Sequence, residues 1–215
     1  MEGELLDLLS PAWRIMLLSD GSVTRHLRLL CPKLYCTALE LLAQGPIGTF
    51  GGAGGAAAMP ADVARIDGDL VQREVLLRIR GPDPDDVRGG WRYERADENR
   101  TDTEDDSDDA TNRNATVPAV YAASWWSAAT YAEFMSDASS PMWSNLRSQN
   151  VELYREVRRV YQGDNEALER VFQTKGPFWG RHYIFWHGGK PMTVVYEVFN
   201  PRLERALGPA KPPPR

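Results

Sequence analysis

Alternation of apolar and polar residues is clearest from Leu70 to Arg80. Val71, Val75, Leu77 and Ile79 share one side, and Gln72, Glu74, Arg78 and Arg80 share the other, as on a strand with one buried face. Arg73 falls on the apolar side. Two further β-rich runs, Arg181 to His187 and Met192 to Phe199, flank Gly188-Gly189-Lys190-Pro191 and predict a hairpin. On the second run Glu197 has Val195 and Phe199 as same-face neighbours, with Met192, Val194, Tyr196 and Val198 on the opposite face. Leu34 to Leu42 predicts another strand, and Val117 to Ser124 the partner of Leu70–Arg80.

Helical spacing recurs in shorter stretches. Asp20-Gly21-Ser22 supplies a turn and a cap, after which Val23, Leu27 and Leu30 repeat until Pro32. Ser127 to Met135 predicts a short helix. Val151, Tyr154, Val157, Val160 and Tyr161 predict an amphipathic helix, and Glu166 to Phe172 a further turn or two before Gly176-Pro177. Leu5 to Leu18 alternates only loosely. Hairpins and short helices without repeated strand–helix–strand units predict an α+β fold with a single, mainly antiparallel sheet. Residues 1–207 form the expected domain, followed by a Pro-rich tail at 208–215.

Two stretches fit no element. Residues 45–60 are Gly-rich and read as a flexible loop, and 81–116 holds turn formers and acids with few apolar residues, an expected disordered insertion in a hairpin. Glu94 to Asp109 contains nine acidic residues against Arg95 and Arg100, a local charge of −7, so the rest of the 215-residue chain carries +2 against a total of −5. A nearly neutral body argues against retention on nucleic acid or anionic lipid by charge. Small molecules are the expected partners. No apolar run approaches the 18 or so residues that span a bilayer, and Met1 to Asp7 lacks a basic segment followed by an apolar one. A soluble protein is expected.

Several familiar chemistries are set aside. Cys31 and Cys36 have neither redox nor zinc spacing and read as reduced thiols. The Gly-rich loop is followed at once by Pro60 and lacks a Gly-Lys-Ser/Thr end, so it is no phosphate or dinucleotide loop. Of the three histidines, His182 and His187 fall on opposite strand faces, which argues against zinc. Ser124 and Ser127 sit in no nucleophile elbow. What remains is Arg73 and Glu197, each a charge among apolar strand neighbours. Burying a charge is costly unless it is paired or meets a ligand. Either they form a buried salt bridge with each other or with Arg181, or they line a pocket where an arginine grips a carboxylate and a glutamate handles a proton.

At these residues the sequence resembles the chorismate lyase family, in particular its cyanobacterial and algal plastid branch. The densest parts are Leu17-Leu18-Ser19-Asp20-Gly21-Ser22-Val23-Thr24, Gln72-Arg73-Glu74-Val75, and Trp179-Gly180-Arg181-His182-Tyr183 through Gly189-Lys190-Pro191-Met192 to Tyr196-Glu197-Val198-Phe199-Asn200-Pro201. The resemblance implies a single antiparallel sheet with helices packed on it and an internal site. It also implies elimination of pyruvate from chorismate to leave 4-hydroxybenzoate, a ring precursor of plastoquinone or ubiquinone, with no metal or organic cofactor. By motif, Arg73 matches the arginine that grips the ring carboxylate and Glu197 the group that meets the ring hydroxyl. Met142 matches a residue whose backbone amide contacts the same carboxylate, though the family usually has glycine where this chain has Trp143. Arg181, which opens the hairpin, is expected to join them in binding substrate. The alternative the same fold permits is a non-catalytic module that binds an aromatic carboxylate or an isoprenoid.

Overall fold

The computed structural model describes residues 8–30, 35–47, 59–80 and 116–210. Cys31, the side chain of Cys36, most of the Gly-rich stretch and nearly all of the acidic tract lie outside them.

Six strands form one sheet: β1 (Tyr35–Pro46), β2 (Leu70–Arg80), β3 (Thr116–Ser127), β4 (Tyr154–Gly163), β5 (Phe178–His187) and β6 (Lys190–Phe199). They lie in the order β1-β2-β3-β6-β5-β4, and every neighbouring pair is antiparallel. The α+β, antiparallel expectation holds. The helices are α1 (Pro11–Leu18), α2 (Val23–Leu30), α3 (Ala128–Phe134), α4 (Met142–Ser148), α5 (Glu166–Phe172) and α6 (Glu204–Leu207), with 3-10 turns at Ala61–Arg65 and Pro201–Leu203.

One segment without a predicted element gains one, and two predictions are corrected. The loosely alternating segment before Ser19 contains α1, because Ser10 caps it by accepting from the Trp13 amide and Pro11 fits its first turn. Residues Val151–Tyr161, expected as a helix, contribute instead to the edge strand β4. Its register shifts between Val157 and Arg159, so an extra residue intervenes and apolar positions three apart imitate helical spacing. Met192, expected opposite Glu197, packs with Tyr183, Phe185 and Val195. Phe185 pairs with Thr193 and Trp186 with Pro191, which leaves Met192 as the bulged residue.

The two faces of the sheet are covered differently. On one, Leu76, Tyr121, Trp125, Ile184, Val194 and Val198 pack under Leu168 and Phe172 of α5 and Val63 of the first 3-10 turn. The other carries two apolar clusters. One gathers Leu77, Val120, Trp179 and Phe199 under Trp13, Leu17 and Leu27 of α1 and α2. The second gathers Trp126, Tyr183, Phe185 and Val195 under Phe134 and Leu146 of α3 and α4. Each large apolar side chain so buried contributes about 1.5–3 kcal/mol. The C-terminal end is part of this packing: Trp13 donates from Nε1 to the Gly208 carbonyl at 2.9 Å, and Ala210, placed by the sequence in the tail, is buried and bridges to Leu9.

Candidate active site

Register places the polar residues between the two apolar clusters. One row across the sheet reads Trp179, Phe199, Val120, Leu77, all apolar. The next reads Arg181, Glu197, Ala122, Val75, and the one after it Tyr183, Val195, Ser124, Arg73. Because side chains alternate with a period of two, these rows share one face. They floor a cavity of about 60 Å³ whose walls come from Ser22, Val23 and Thr24 at the start of α2 and Pro141, Met142 and Trp143 at the start of α4. That is several times the roughly 10–15 Å³ that admits one water.

The four charged residues at this site are nearly inaccessible: Arg73 is 3% exposed, Arg155 8%, Glu197 6% and Arg181 0%. Arg181 stands directly opposite Glu197 across β5 and β6, and its Nε donates to Oε2 of Glu197 at 2.8 Å. The Tyr183 hydroxyl donates to the other oxygen, Oε1, at 2.9 Å. Glu197 is thus fixed at both oxygens while still lining the cavity. Gly180 permits this close arrangement: a Cβ there would lie 2.8 Å from the Glu197 carbonyl oxygen, so any side chain would force the backbone of β6 aside. Burial, followed by the neighbouring Glu197 charge, pushes the Tyr183 phenol far above its ordinary value, so it remains a hydrogen-bond donor.

Arg73 does not pair with Glu197. Its Nη2 donates to the carbonyls of Ala138 at 2.8 Å and Ser140 at 3.2 Å, tying β2 to the loop that leads into α4, and its Nε is buried without a partner. Burial lowers its pKa, with the charges of Tyr131 and Asp137 opposing. Met142 lines the cavity in the first turn of α4. Arg181, expected to touch substrate, is not among the lining residues. Its Nη1 donates to the Ser19 carbonyl at 2.9 Å, so it braces Glu197 and the turn before α2 together.

Sequence reasoning missed Arg155 and Tyr183. Arg155 projects from β4, and its guanidinium carbon lies 4.3 Å from the Tyr183 ring centroid and 4.6 Å from that of Phe185. Its Nη1 donates to the Gly21 carbonyl. A buried arginine among apolar neighbours is the available signal, but it is legible only once β4 is a strand. His26 of α2 is half-buried, with Nε2 3.5 Å from Ser19 Oγ. Burial and then the charges of Arg181 and Arg155 lower its pKa, against the opposing charge of Glu197. His182 faces the other side of the sheet, between the Tyr161 hydroxyl and Asp62, the latter 2.9 Å from Nε2. His187 meets the Glu152 carbonyl at 3.0 Å. Among the described residues no group of three or more His, Cys, Asp or Glu is placed to hold a metal ion.

Residues 17–102 and 110–207 match the sequence family described as chorismate pyruvate-lyase, Rv2949c-like. The chain belongs to that family. Its match spans both strands of the β5–β6 hairpin, Arg73 and Arg155, and breaks within the acidic tract. This family member is 29% identical to the uncharacterized protein ycf21 of Cyanophora paradoxa over 197 residues, which covers 92% of this chain and 81% of that one. It is 36% identical to ycf21 of Porphyra purpurea over 85 residues, 40% of this chain and 49% of the other. Among solved structures, PhnF from Mycobacterium smegmatis superposes with a TM-score of 0.52 at 12% identity, over 85% of this chain and 65% of PhnF. The isolated effector domain of PhnF gives 0.51 at 12% identity, over 85% and 90%. At that identity the likeness is one of fold. Among the described residues no helix is long and apolar enough to cross a membrane.

Proposed function

We propose that this protein is a chorismate pyruvate-lyase that releases 4-hydroxybenzoate and pyruvate, serving quinone synthesis in the plastid stroma or cytoplasm. The observation that carries this reading is one cavity lined by both Arg73 and Glu197, with Glu197 held by Arg181 and Tyr183. Arg73 takes the ring carboxylate through charge-assisted hydrogen bonds, helped by the Met142 amide. Glu197 sits at the ring hydroxyl and accepts the proton from the carbon that bears it. The bond between the neighbouring ring carbon and the enolpyruvyl oxygen breaks as that proton leaves. The ring becomes aromatic, and the departing enolate takes up a proton from water at its methylene carbon to become pyruvate. Aromatisation supplies the driving force, so the protein's part is to orient the ring, neutralise charge and receive one proton. Arg181 acts through Glu197, whose orientation it fixes.

Incubating the purified protein with chorismate tests this reading. Pyruvate and 4-hydroxybenzoate should appear in equal amounts, and no release above the uncatalysed rate would contradict it. One observation favours a second reading, a binding module for an aromatic carboxylate: both Glu197 oxygens already accept a hydrogen bond within the protein. That module would bind 4-hydroxybenzoate and leave chorismate intact.

A further inference from the structure

Glu197 is the one carboxylate lining the cavity among the described residues, and Arg181 already neutralises it. Arg73 and Arg155 line the same cavity, and neither has a carboxylate within ion-pair distance among the described residues. Asp137 acts on Arg73 only from the exposed loop, where the Ser139 and Ser140 hydroxyls hold it. Two guanidinium groups, each more than nine-tenths buried, therefore face one small space without counter-charge. An isolated buried cation is costly, and an arrangement that leaves two of them toward a cavity is matched by a ligand bringing two negative charges.

Their placement says where those charges fall. β2 and β4 are separated by four strand spacings of about 4.8 Å, roughly 19 Å across the sheet, so the two arginines enter from opposite flanks. Arg73 is held by the Ala138 and Ser140 carbonyls through Nη2. Arg155 is oriented by stacking on Tyr183 and Phe185 and by its bond to Gly21, and its Nε is buried with no hydrogen-bond partner. A rigid fork with a spare buried donor is suited to a carboxylate.

We propose that Arg155 is a second carboxylate anchor, so that the cavity selects a ring bearing two separated carboxylates over a ring bearing one. The inference rests on the lyase reading for the identity of the natural ligand. It adds a consequence: the substrate carries the second carboxylate away as pyruvate, and the monocarboxylate product keeps only the Arg73 anchor.

The test is calorimetric binding of two unreactive probes, 3-(carboxymethoxy)benzoate with two carboxylates and 4-hydroxybenzoate with one, to the parent, Arg155→Gln and Arg155→Lys. Loss of a charge-assisted contact should weaken the dicarboxylate roughly 30-fold in Arg155→Gln. 4-Hydroxybenzoate should change less than about threefold, because its anchor is Arg73. Arg155→Lys keeps charge without the fork and should fall between, and it carries the test if Arg155→Gln fails to fold. Equal losses for both probes, or no preference for the dicarboxylate in the parent, would overturn the proposal. Chorismate turnover separates the two readings. A dicarboxylate preference without pyruvate release would overturn the lyase reading alone, and pyruvate release without an Arg155-dependent preference would overturn this one alone.

Discussion

Arg181 and Glu197 form a buried ion pair in which each supplies the other's counter-charge, beside hydrogen bonds from the Tyr183 hydroxyl to Glu197 and from Arg181 to the Ser19 carbonyl. Removing one partner of such a pair costs about 3–5 kcal/mol, because the other is left uncompensated. Denaturation of Arg181→Met should show such a loss, and adding Glu197→Gln to it should recover much of the stability; a loss below about 1 kcal/mol would mean that solvent already screens the pair. Arg73→Lys should weaken 4-hydroxybenzoate binding by about 1.5–3 kcal/mol, measured by titration calorimetry, since an ammonium cannot keep both loop carbonyls and a carboxylate. Unchanged affinity would remove Arg73 from the site. His26 gives a pH dependence with a definite sign. Its folded pKa lies below the ordinary 6.5, so the unfolded chain binds its proton first, and the associated stability is complete above about pH 6.5 and lost as pH falls below it. Melting temperatures of the parent and His26→Asn should therefore diverge less at pH 5 than at pH 8, and a constant difference would contradict the shift. Arg73 and Glu197 are legible in the sequence because each is a charge among apolar strand neighbours, and both prove buried on one face. Their partners are not legible there. Glu197 meets Arg181 while Arg73 meets backbone carbonyls, and which partner a buried charge finds depends on the register of β5 against β6.

Elements with a regular buried face are the readable ones. β2 is readable from Val71, Val75, Leu77 and Ile79 on one side, although Glu74 and Leu76 on the other prove buried as well, and the β5–β6 hairpin announces itself through Gly188 and Gly189, which adopt positive φ of 56° and 76° as its turn requires. β4 is unreadable because it is an edge strand whose bulge restores a spacing of three between Val157 and Val160, and taking that spacing for a helix conceals Arg155. α1 is hidden because its register of buried residues, Trp13, Met16 and Leu17, is set by packing on the sheet more than by a long periodic run. The pairing of β2 with β3 makes a further expectation concrete. Arg80 stands opposite Thr116, so the pair is closed where the acidic tract begins and ends. Replacing residues 81–115 by a short Gly-containing loop should leave the melting temperature within about 3 °C and pyruvate release within about twofold, because so acidic and apolar-poor a stretch offers little to bury. Loss of folding would show that the tract is packed.

At the scale of the molecule, the sheet sorts its two faces into different tasks. One packs a single apolar cluster beneath α5 and also buries Glu74 and His182, while the other divides its apolar packing into two clusters and leaves charged rows between them. The clusters hold α2 and α4 apart, and the ends of those helices wall the cavity over Arg73, Arg155 and Glu197. The fold class follows from hairpins and the absence of strand–helix–strand repeats, whereas the cavity depends on which helices cover which rows, a property of tertiary packing with no local signature. The central claim is that Glu197 receives the proton lost as the ring aromatises. Glu197→Gln keeps the shape and a hydrogen-bonding amide while removing the basic oxygen, so the decisive measurement is its pyruvate release from saturating chorismate beside that of the parent, with 4-hydroxybenzoate affinity as the control. A fall of about 100-fold or more with affinity retained is the expected result. Near-parental release by Glu197→Gln would contradict it.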